Sequence, residues 1–566
     1  MPCPLCEALD IHPLQNKRRS FFRCDNCGFA WAAPASVPTE SSAKERYELH
    51  QNDRNTQGYV SYLTTIIDRA LLPFLGAELP ALNSPAQNSS LKILDWGSGP
   101  NPVCAELLQE RGYEVSLWDP NFASHAKPKK EDYDLVLCIE VAEHFTKPLE
   151  DFMALGACLK PGAFALIHSH LAPKQDEAFL SWWYVEDPTH VSFYTEEALV
   201  FLARRLNLIL EEVAEGKMAL FRRPLPVLVA GGANMDIEGR PFSPLTVHDS
   251  NPGLVSHAPG GTARNIAENL ARLGIPVEFI SAVGKDSAGT ELMEMTSATG
   301  VGISGIQVIE AERTSTYLSI LDAEGDMQVA ISGMAIYDSF SQEFLSFALG
   351  RAEAAARSRS TLKRDEAPFS ALVLDTNLSS DSLRFLLDSL PNLAAWLDPV
   401  STKKTKLFMK EAPELLSRFS WIKPNLIEAQ VLAQIEVLED VAGKPALQLA
   451  IESARILHSS GVKAIPISLG AGGVLLVEAG RAYLCQPPEL KIVSATGAGD
   501  AFLSGALRAS LLKAGNSQIV ASGCAASAIT LASPKACAVD LNATQIESLL
   551  SVWRNTGTCT WKEIEL

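Results

Sequence analysis

Near its C-terminus, the 566-residue chain reads Thr496-Gly497-Ala498-Gly499-Asp500-Ala501-Phe502. Small residues open a helix here, and the unpaired backbone N–H groups at a helix N-terminus, together with its positive end, bind anions. A carboxylate beside a bound phosphate would repel it, so Asp500 makes chemical sense as the acceptor of a proton from an attacking hydroxyl. The alternative is an aspartate that only caps the helix in a glycine turn.

Two motifs far upstream carry polar residues suited to the same chemistry. Asn234 and Asp236 follow a buried strand at alternate positions, so both can face one cleft and bind sugar hydroxyls. An Asx turn is the alternative interpretation of this pair. Gly260 and Gly261 precede an amphipathic helix, and Asn265 projects from its first turn. The two glycines would let a ligand approach the backbone closely.

These motifs together resemble the ribokinase/PfkB carbohydrate kinases over residues 226–566, where both family signatures stand in order. The resemblance implies a ribokinase-like α/β domain with a small β lid, and ATP and Mg2+ as cofactors. It makes Asp500 the catalytic base and Gly497–Gly499 the anion hole. It also assigns Asn234, Asp236, Gly260, Gly261 and Asn265 to the substrate, Asn425 and Glu428 to Mg2+ and phosphate through water, and Ser468, Gly470 and Gly473 to the nucleotide.

Within this family the chain most resembles the pseudouridine kinases. The motifs that carry this resemblance are residues 249–253 (DSNPG), 314–322 (TSTYLSILD), Asp375-x-Asn377, Asp398-Pro-Val-Ser401 and Lys423-Pro-Asn425. Strands predicted at 314–322 and 326–332 would form the lid, close over the sugar and pair between two subunits. The resemblance implies phosphorylation of the 5′-hydroxyl of pseudouridine, with ribose, fructose or another nucleoside as alternatives. Ser494 stands where many relatives carry an aspartate that helps to bind potassium, which leaves potassium activation open.

Residues 43–222 alternate strand and helix patterns, which predicts a parallel sheet of βαβ units. The first of these strands runs through Asp95 into a loop with Gly97 and Gly99, and the second ends at Asp119. Glycines let a ligand approach the backbone, and a carboxylate after the second strand can accept both ribose hydroxyls. The predicted buried strands are Lys92–Trp96, Glu114–Trp118, Tyr133–Cys138 and Ala163–His168, with a turn at Leu159–Gly162 before the last.

This order of elements resembles a Rossmann-like class I S-adenosylmethionine-dependent methyltransferase. The resemblance implies that Asp95, Gly97 and Gly99 hold the methionine end of S-adenosylmethionine, that Asp119 binds its ribose, and that residues around Glu140 line the adenine or active-site side. An NAD-type Rossmann domain is the competing interpretation, disfavoured by Glu140-x2-Glu143-His144 and Leu159-Lys-Pro-Gly162. Asn101 stands where a third glycine is common, and the sequence reveals neither the methyl acceptor nor an acceptor-side base.

The motifs Cys3-x2-Cys6 and Cys24-x2-Cys27 have the spacing of two zinc knuckles. Each knuckle can place two thiolates on one ion, and four thiolates complete a closed, structural Zn2+ site. A redox pair or unpaired thiols are the alternatives. Between the knuckles, residues 17–23 form a basic and aromatic run, predicted as a solvated hairpin in preference to an RNA contact. This ribbon, Tyr47-x2-His50-x-Asn52 and Trp183-Tyr184-x2-Asp187-Pro-Thr-His190 resemble a ribbon-bearing subgroup of these methyltransferases.

Composition limits the remaining choices. The chain is 47% apolar and carries a net charge of −18, which predicts large cores and argues against broad nucleic-acid binding. No apolar run of about 18 residues suggests a membrane span, and the start of the chain lacks a basic-then-apolar signal segment. The cysteines outside the knuckles stand singly, which suits reduced thiols in the cytoplasm.

The sequence therefore predicts an α/β protein with a zinc ribbon at 1–31, a linker at 32–42, a methyltransferase-like domain at 43–222 and a kinase domain at 226–566. A polar surface loop is expected at 351–368. The predicted partners are a small nucleoside, an unidentified methyl acceptor and a second copy through the kinase lid. The rival function is a sugar kinase whose methyltransferase-like domain serves only as a binding or regulatory module. The retained Asp500 and glycine hole argue against an inactive kinase.

Overall fold

The computed structural model describes residues 2–48, 53–75, 91–123, 127–324, 326–362, 366–439, 441–478 and 481–564. The chain divides into two compact units. The N-terminal unit comprises Met1–Pro224 with Arg359–Glu366, and the C-terminal unit comprises Leu225–Ser358 with Ala367–Leu566. Among the described residues, no helix combines the length and apolarity that crossing a bilayer requires.

The N-terminal unit combines a small antiparallel sheet with a larger sheet flanked by helices. Its strands are β1 (Ile11–Gln15), β2 (Ser20–Cys24), β3 (Ala30–Ala32), β4 (Lys92–Trp96), β5 (Glu114–Trp118), β6 (Tyr133–Ile139), β7 (Leu159–His168), β8 (Ser192–Phe193), β9 (Ile209–Ala214) and β10 (Met218–Arg222). Its helices are α1 (Glu40–Glu48), α2 (Gln57–Leu75), α3 (Val103–Glu110), α4 (Pro148–Ala157), α5 (Asp176–Leu180) and α6 (Glu196–Leu206).

The larger sheet has the order β5-β4-β6-β7-β10-β9. The first four strands are parallel as predicted, whereas β10 and β9 run antiparallel, so the fully parallel sheet was wrong. β5 was expected to be buried, but it forms the edge and is partly exposed because only β4 pairs with it. The turn predicted at Leu159–Gly162 is instead the start of β7, which pairs with β6 on one side and β10 on the other.

The run at 17–23 does lie in a hairpin, formed by β1 and β2, but this hairpin is not solvated. Its sheet, ordered β1-β2-β3-β8, includes a strand from the methyltransferase segment. Phe21 is buried and meets Phe179 and Phe193 edge-to-face, at ring separations of 5.3 and 5.8 Å. Arg19 and Arg23, predicted to be solvated, are also buried. The expected linker at 32–42 contains the last residue of β3 and the start of α1, while His50 and Asn52 lie outside the described residues.

The C-terminal unit is a large α/β sheet with a smaller sheet beside it. Its strands are β11 (Val227–Ala230), β12 (Asn234–Pro241), β13 (Gly253–Gly260), β14 (Val277–Gly284), β15 (Gly302–Ile309), β16 (Thr316–Leu321), β17 (Met327–Gly333), β18 (Ala371–Asp375), β19 (Ala395–Asp398), β20 (Trp421–Ile422), β21 (Ala464–Ser468), β22 (Val474–Glu478), β23 (Arg481–Gln486) and β24 (Thr560–Ile564). Its helices are α7 (Thr262–Arg272), α8 (Ser287–Ala298), α9 (Gln342–Arg359), α10 (Ser380–Ser389), α11 (Thr402–Glu411), α12 (Leu426–Leu432), α13 (Gly443–Ser459), α14 (Ala498–Leu511), α15 (Asn516–Leu531) and α16 (Ala543–Thr556).

The large sheet has the order β15-β14-β11-β18-β19-β20-β21-β22-β23-β24. Strands from β15 to β21 are parallel, so the carboxyl ends of β11, β18, β19 and β20 meet at one edge, where ligands bind in open α/β sheets. Buried apolar residues cover both faces of this sheet. The surface loop expected at 351–368 was wrong in its first half, because α9 continues to Arg359.

The small sheet has the order β13-β12-β16-β17 and confirms the predicted lid strands. Met327, Val329 and Ile331 stand at alternate positions of β17 and are each more than half exposed. Side chains at alternate positions share one face of a strand, so they form an apolar stripe. The pairing of two lids between subunits stays a prediction.

Candidate active sites

Asp500 lies in the first turn of α14, just after Gly497, the N-cap residue at which the helix begins. Gly497 adopts a φ of 80°, and a β-carbon there would overlap the carbonyl oxygen of Ala536, so only glycine fits. The first N–H groups of a helix have no partner within it, so donors suited to the predicted anion hole lie beside the carboxylate. Burial, and then the charge of Asp398, raises the pKa of Asp500 to about 7, so this group can exchange a proton near neutral pH.

The motif that contains Gly260, Gly261 and Asn265 contacts the distant motif that contains Asp500. The amide Nδ2 of Asn265 donates to Asp500 Oδ2 at 3.0 Å. Asn265 lies in the first turn of α7, whose N-cap is Gly261 with a φ of 96°. A β-carbon at Gly261 would lie 2.5 Å from the carbonyl oxygen of Gly232, so the helix begins pressed against the loop after β11. Asn265, predicted to bind substrate, therefore also orients the carboxylate of Asp500.

Asn234 and Asp236 open β12 on the same side of the strand. Asn234 is buried, and its amide donates to the Asp236 carboxylate. The neighbouring strand presents Gly260 opposite Asn234, and a β-carbon at Gly260 would overlap that carboxylate. Burial raises the pKa of Asp236 to about 6, against the lowering effect of the Asn234 hydrogen bond. The pair is thus a pre-formed polar surface at the start of β12, an inner strand of the lid sheet.

A fully buried carboxylate that received no role from the sequence, Asp375, joins the loops of this site. Its Oδ2 accepts from the backbone N–H groups of Gly232 at 3.1 Å and Ala263 at 3.0 Å. Asn377 donates to the same carboxylate through its backbone, at 2.9 Å, and its side chain. Asp375 therefore fixes the loop after β11 to the start of α7. Its signal in the sequence was the motif Asp375-x-Asn377.

Lys423, like Asp375, lies at this site although the sequence analysis gave it no role. Its Nζ lies 3.4 Å from Asp398 Oδ2, and a β-carbon at Gly499 would come within 2.9 Å of it. Burial opposes the charge on Lys423, but the carboxylates of Asp398, Glu428 and Asp500 together raise its pKa, so it remains an ammonium ion. A cation at the first turn of α14 would strengthen the predicted anion hole at the helix N–H groups.

Asn425 and Glu428, predicted to organise Mg2+ and phosphate, form a capping box at the start of α12. Glu428 N–H donates to Asn425 Oδ1 at 2.9 Å, and Asn425 N–H donates to Glu428 Oε2 at 3.0 Å. Burial raises the pKa of Glu428, and the charge of Asp398 adds to this effect. The observed contacts are structural, and the role toward Mg2+ stays a prediction.

The predicted nucleotide loop follows β21 next to this helix. Ser468 forms a parallel bridge with Asn425, so the loop and the capping box are neighbours. Leu469 N–H donates to the carbonyl of Gly473 at 2.9 Å, which closes the loop around Gly470. The structure thus gathers the capping box and this loop at the carboxyl ends of β20 and β21.

Comparison with known families agrees with this arrangement. The profile of pfkB family carbohydrate kinases matches residues 226–543, more than half of the chain. The chain belongs to the pfkB family of carbohydrate kinases. Its curated relatives include the pseudouridine kinase of Escherichia coli (strain K12), 33% identical over 282 residues, which cover 49% of this chain and 82% of that protein. The guanosine-inosine kinase of Exiguobacterium acetylicum is 26% identical, over 50% of this chain and 86% of the relative.

Among solved structures, a carbohydrate kinase from Agrobacterium tumefaciens shares 25% identity with this pfkB kinase at a TM-score of 0.49. The match covers 60% of this chain and all of that protein. The ribokinase of Thermotoga maritima has 19% identity and a TM-score of 0.46, over 58% of this chain and 99% of that one.

The N-terminal unit of this pfkB protein has a glycine loop at the carboxyl end of β4. Gly97 and Gly99 have φ values of 82° and 63°. Gly99 N–H donates to Asp119 Oδ2 at 3.0 Å, while Asp119 Oδ1 accepts from backbone N–H groups just beyond it. Asp119, predicted to bind ribose, therefore also holds the loop in shape. Asp95 is buried, and burial raises its pKa to about 7, with a further contribution from Asp119.

Glu140, predicted to line the active-site side, directly follows β6 in a left-handed conformation with a φ of 55°. Its carboxylate accepts from the hydroxyl of Tyr62 at 2.9 Å and lies 2.8 Å from His168 Nδ1. Burial would raise the pKa of Glu140, but its hydrogen bond with His168 and the charge of that residue produce a net lowering. The profile of a methyltransferase domain matches residues 66–213, so the N-terminal unit carries a methyltransferase domain.

The four N-terminal cysteines come together as the spacing predicts. Their sulfur atoms all lie within 4.8 Å of one another, and all four side chains are buried. The Sγ atoms of Cys3 and Cys27 are 3.8 Å apart, and those of Cys6 and Cys24 are 3.4 Å apart. These thiols form no disulfide. The cluster has the donor set of a tetrahedral thiolate site.

Proposed function

We propose that the C-terminal unit transfers the γ-phosphate of ATP to the 5′-hydroxyl of a nucleoside, pseudouridine above all. The observation that carries this proposal is the hydrogen bond between Asn265 and Asp500, which joins a substrate residue to the base at the mouth of an anion site. The identity of 33% to a pseudouridine kinase supports the choice of nucleoside. Asn234 and Asp236 would bind the sugar hydroxyls, and the lid sheet would close over the sugar.

The chemistry follows from the groups at the first turn of α14. Asp500 accepts the proton of the 5′-hydroxyl while the oxygen forms a bond to the γ-phosphorus and the bond to the leaving ADP breaks. The backbone N–H groups at the helix start and the Lys423 ammonium stabilise the phosphoryl oxygens as charge builds on them. Mg2+, when bound through water to Asn425 and Glu428, would neutralise the phosphates of ATP.

Pseudouridine is expected to be phosphorylated with a higher kcat/KM than uridine, ribose or fructose. Pseudouridine exposes a ring N–H that uridine lacks, and a site that pairs a substrate donor can reject an analogue without it by as much as roughly 10⁴-fold. Steady-state kinetics on this panel with ATP provides the measurement. Turnover of ribose equal to or better than that of pseudouridine would reject the nucleoside while retaining the kinase.

We propose further that the N-terminal unit is an S-adenosylmethionine-dependent methyltransferase and that its four cysteines bind structural Zn2+. Asp95 supports the cofactor, because its Oδ2 is buried with no hydrogen-bond partner among the described residues. An unpaired buried carboxylate oxygen is costly, and the ammonium group of S-adenosylmethionine would pair it. Gly97 and Gly99 would admit the methionine end beside it, and S-adenosylmethionine, when bound, supplies the methyl group.

Asp119→Ala is expected to weaken binding of S-adenosylmethionine by about 1–3 kcal/mol, because the ribose loses a charged hydrogen-bond acceptor and the Gly99 loop loses its anchor. Isothermal titration calorimetry on the full chain measures the change. Glu114→Ala, at the exposed opposite end of β5, is the matched control and should bind like wild type. Absence of binding by the wild-type protein, or tight binding of NAD instead, would overturn the assignment.

A further inference from the structure

A second group of metal-ligating side chains lies in the N-terminal unit, away from the cysteines. Glu143 and His144 follow β6, and His190 precedes β8. One carboxylate oxygen and one nitrogen from each imidazole lie within 4.8 Å of one another. The two imidazole rings themselves are 5.0 Å apart. Two imidazoles and a carboxylate form a recurrent protein site for divalent transition metals.

The surroundings fix the tautomer of both histidines. His144 Nδ1 lies 2.9 Å from the carbonyl oxygen of Thr189, and His190 Nδ1 lies 2.9 Å from that of Tyr184. A carbonyl oxygen can only accept, so each Nδ1 carries the proton, and in a neutral ring Nε2 then has the lone pair. Metal-binding histidines typically show this pattern of backbone anchoring.

One carboxylate oxygen of Glu143 is buried without a partner that would offset its burial. Its side chain is 0% exposed, and its Oε1 accepts from the Tyr184 hydroxyl at 2.7 Å. Its Oε2 is buried and finds no hydrogen-bond partner among the described residues. A bound divalent cation would offset the cost of burying this carboxylate.

The loop that carries His190 is held in place from the ribbon. The Arg19 guanidinium donates to the carbonyl oxygens of Val185 and His190 at 2.8 Å and of Asp187 at 2.6 Å. Because a buried arginine ties several carbonyls of this loop to β2, His190 does not depend on the loop alone for its position. Sites built on rigidly held residues keep their ligand geometry.

We propose that Glu143, His144 and His190 bind a divalent first-row transition metal ion, with Mn2+ as a suitable probe. Three protein ligands leave coordination positions for water or for an oxygen atom of the methyl acceptor. A metal ion there would lower the pKa of an acceptor hydroxyl so that its proton passes to water without a protein base. The oxygen would then form the bond to the methyl group as the bond from that group to the sulfonium of S-adenosylmethionine breaks, leaving S-adenosylhomocysteine. Only this catalytic role rests on the proposed methyltransferase function; the binding of metal does not.

The test uses the full chain with its cysteine site already filled with zinc, so that added Mn2+ reports on other sites. Electron paramagnetic resonance of free Mn2+ during a titration should show a saturable site of roughly one ion per chain. Glu143→Gln and His190→Ala should each weaken that site by more than the roughly 10–100-fold lost when only a hydrogen-bond partner of a metal ligand is removed. His170→Ala is the control, because His170 packs against Trp183 and Tyr184 outside the group of three.

A spectroscopic readout protects the test against a variant that folds poorly. Spin-echo modulation of bound Mn2+ should show coupling to the nitrogens of two imidazoles in wild type and of one in His190→Ala. Calorimetry with S-adenosylmethionine reports separately on the fold and on the proposed cofactor. Mn2+ binding without S-adenosylmethionine binding would reject the methyltransferase proposal and keep the metal site. No saturable Mn2+ site in wild type, no nitrogen coupling, or unchanged binding in His190→Ala would overturn the inference.

Discussion

Asp500→Asn is expected to lower kcat of the kinase by a factor on the order of 10²–10⁴, because it removes the general base. Asparagine keeps nearly the same shape, and the N-cap of α14 is Gly497 rather than Asp500, so the fold should survive. Its amide oxygen can also accept the hydrogen bond from Asn265. The variant therefore differs from wild type mainly in its inability to take the 5′-hydroxyl proton. Nucleoside and ATP binding should persist, because Asn234, Asp236 and the loop around Gly470 are untouched.

The matched control is Asp540→Asn, which neutralises an exposed aspartate beyond α15. It should leave kcat and KM close to wild type. Steady-state kinetics and thermal melting on both variants separate chemistry from folding. Kinase activity of Asp500→Asn within about threefold of wild type, in a normally melting protein, would falsify the catalytic role, since a removed base costs far more.

The same carboxylate also determines the direction in which kcat/KM should change with pH. Burial raises the pKa of Asp500 to about 7, and a general base must be deprotonated to act. The kcat/KM of wild type should therefore fall as the pH drops below about 7, by roughly tenfold per pH unit. The titration of ATP affects wild type and Asp500→Asn alike, so the ratio of their rates isolates the base. A ratio independent of pH between 5 and 8 would contradict this assignment.

Local sequence was enough to place Asp500 but not its partners. A glycine turn opening a helix is a short-range pattern, and α14 begins there as expected. The contact between Asn265 and Asp500 depends on the packing of α7 against α14, which no window of sequence contains. The role of Asp375 is harder still to predict, because a buried aspartate at a strand end can be assigned a role only once it is known that two other loops donate hydrogen bonds to it.

A single residue pattern can serve two roles in the folded protein. Asn425 and Glu428 form the capping box that their spacing allows, and the same spacing suits water-mediated Mg2+ binding.

Glu143 and His144 were visible in sequence as a polar pair after a strand. Their relation to His190 depends on the loop before β8, which is held by Arg19. Arg19 belongs to a run that a hydrophilicity argument assigns to solvent, because such an argument does not foresee carbonyl oxygens that satisfy a buried guanidinium.

Replacing Cys24 and Cys27 with serine is expected to remove zinc from the protein and to destabilise the whole N-terminal unit. Hydroxyl groups do not replace thiolates as Zn2+ ligands, and structural zinc can supply on the order of 10 kcal/mol of folding energy. The loss of stability would extend beyond the ribbon, because the ribbon shares a sheet with β8 and a hydrophobic core with the methyltransferase domain. Phe29 and Trp31 pack in the same buried cluster as Leu94 and Trp96.

Calorimetric melting, metal analysis and the two ligand assays together measure the effect. A loss of about 5 kcal/mol would lower the melting temperature of a unit of this size by roughly 10–20 °C. Binding of S-adenosylmethionine should fall with it, whereas kinase activity should persist because Asp500, Asn265 and Lys423 belong to the other compact unit. Cys158→Ser is the matched control, since Cys158 donates to the carbonyl of Ala154 and a serine hydroxyl can do the same. A double variant that retained its full zinc, or one that lost zinc with an unchanged melting curve, would show that the cysteines do not hold this unit together.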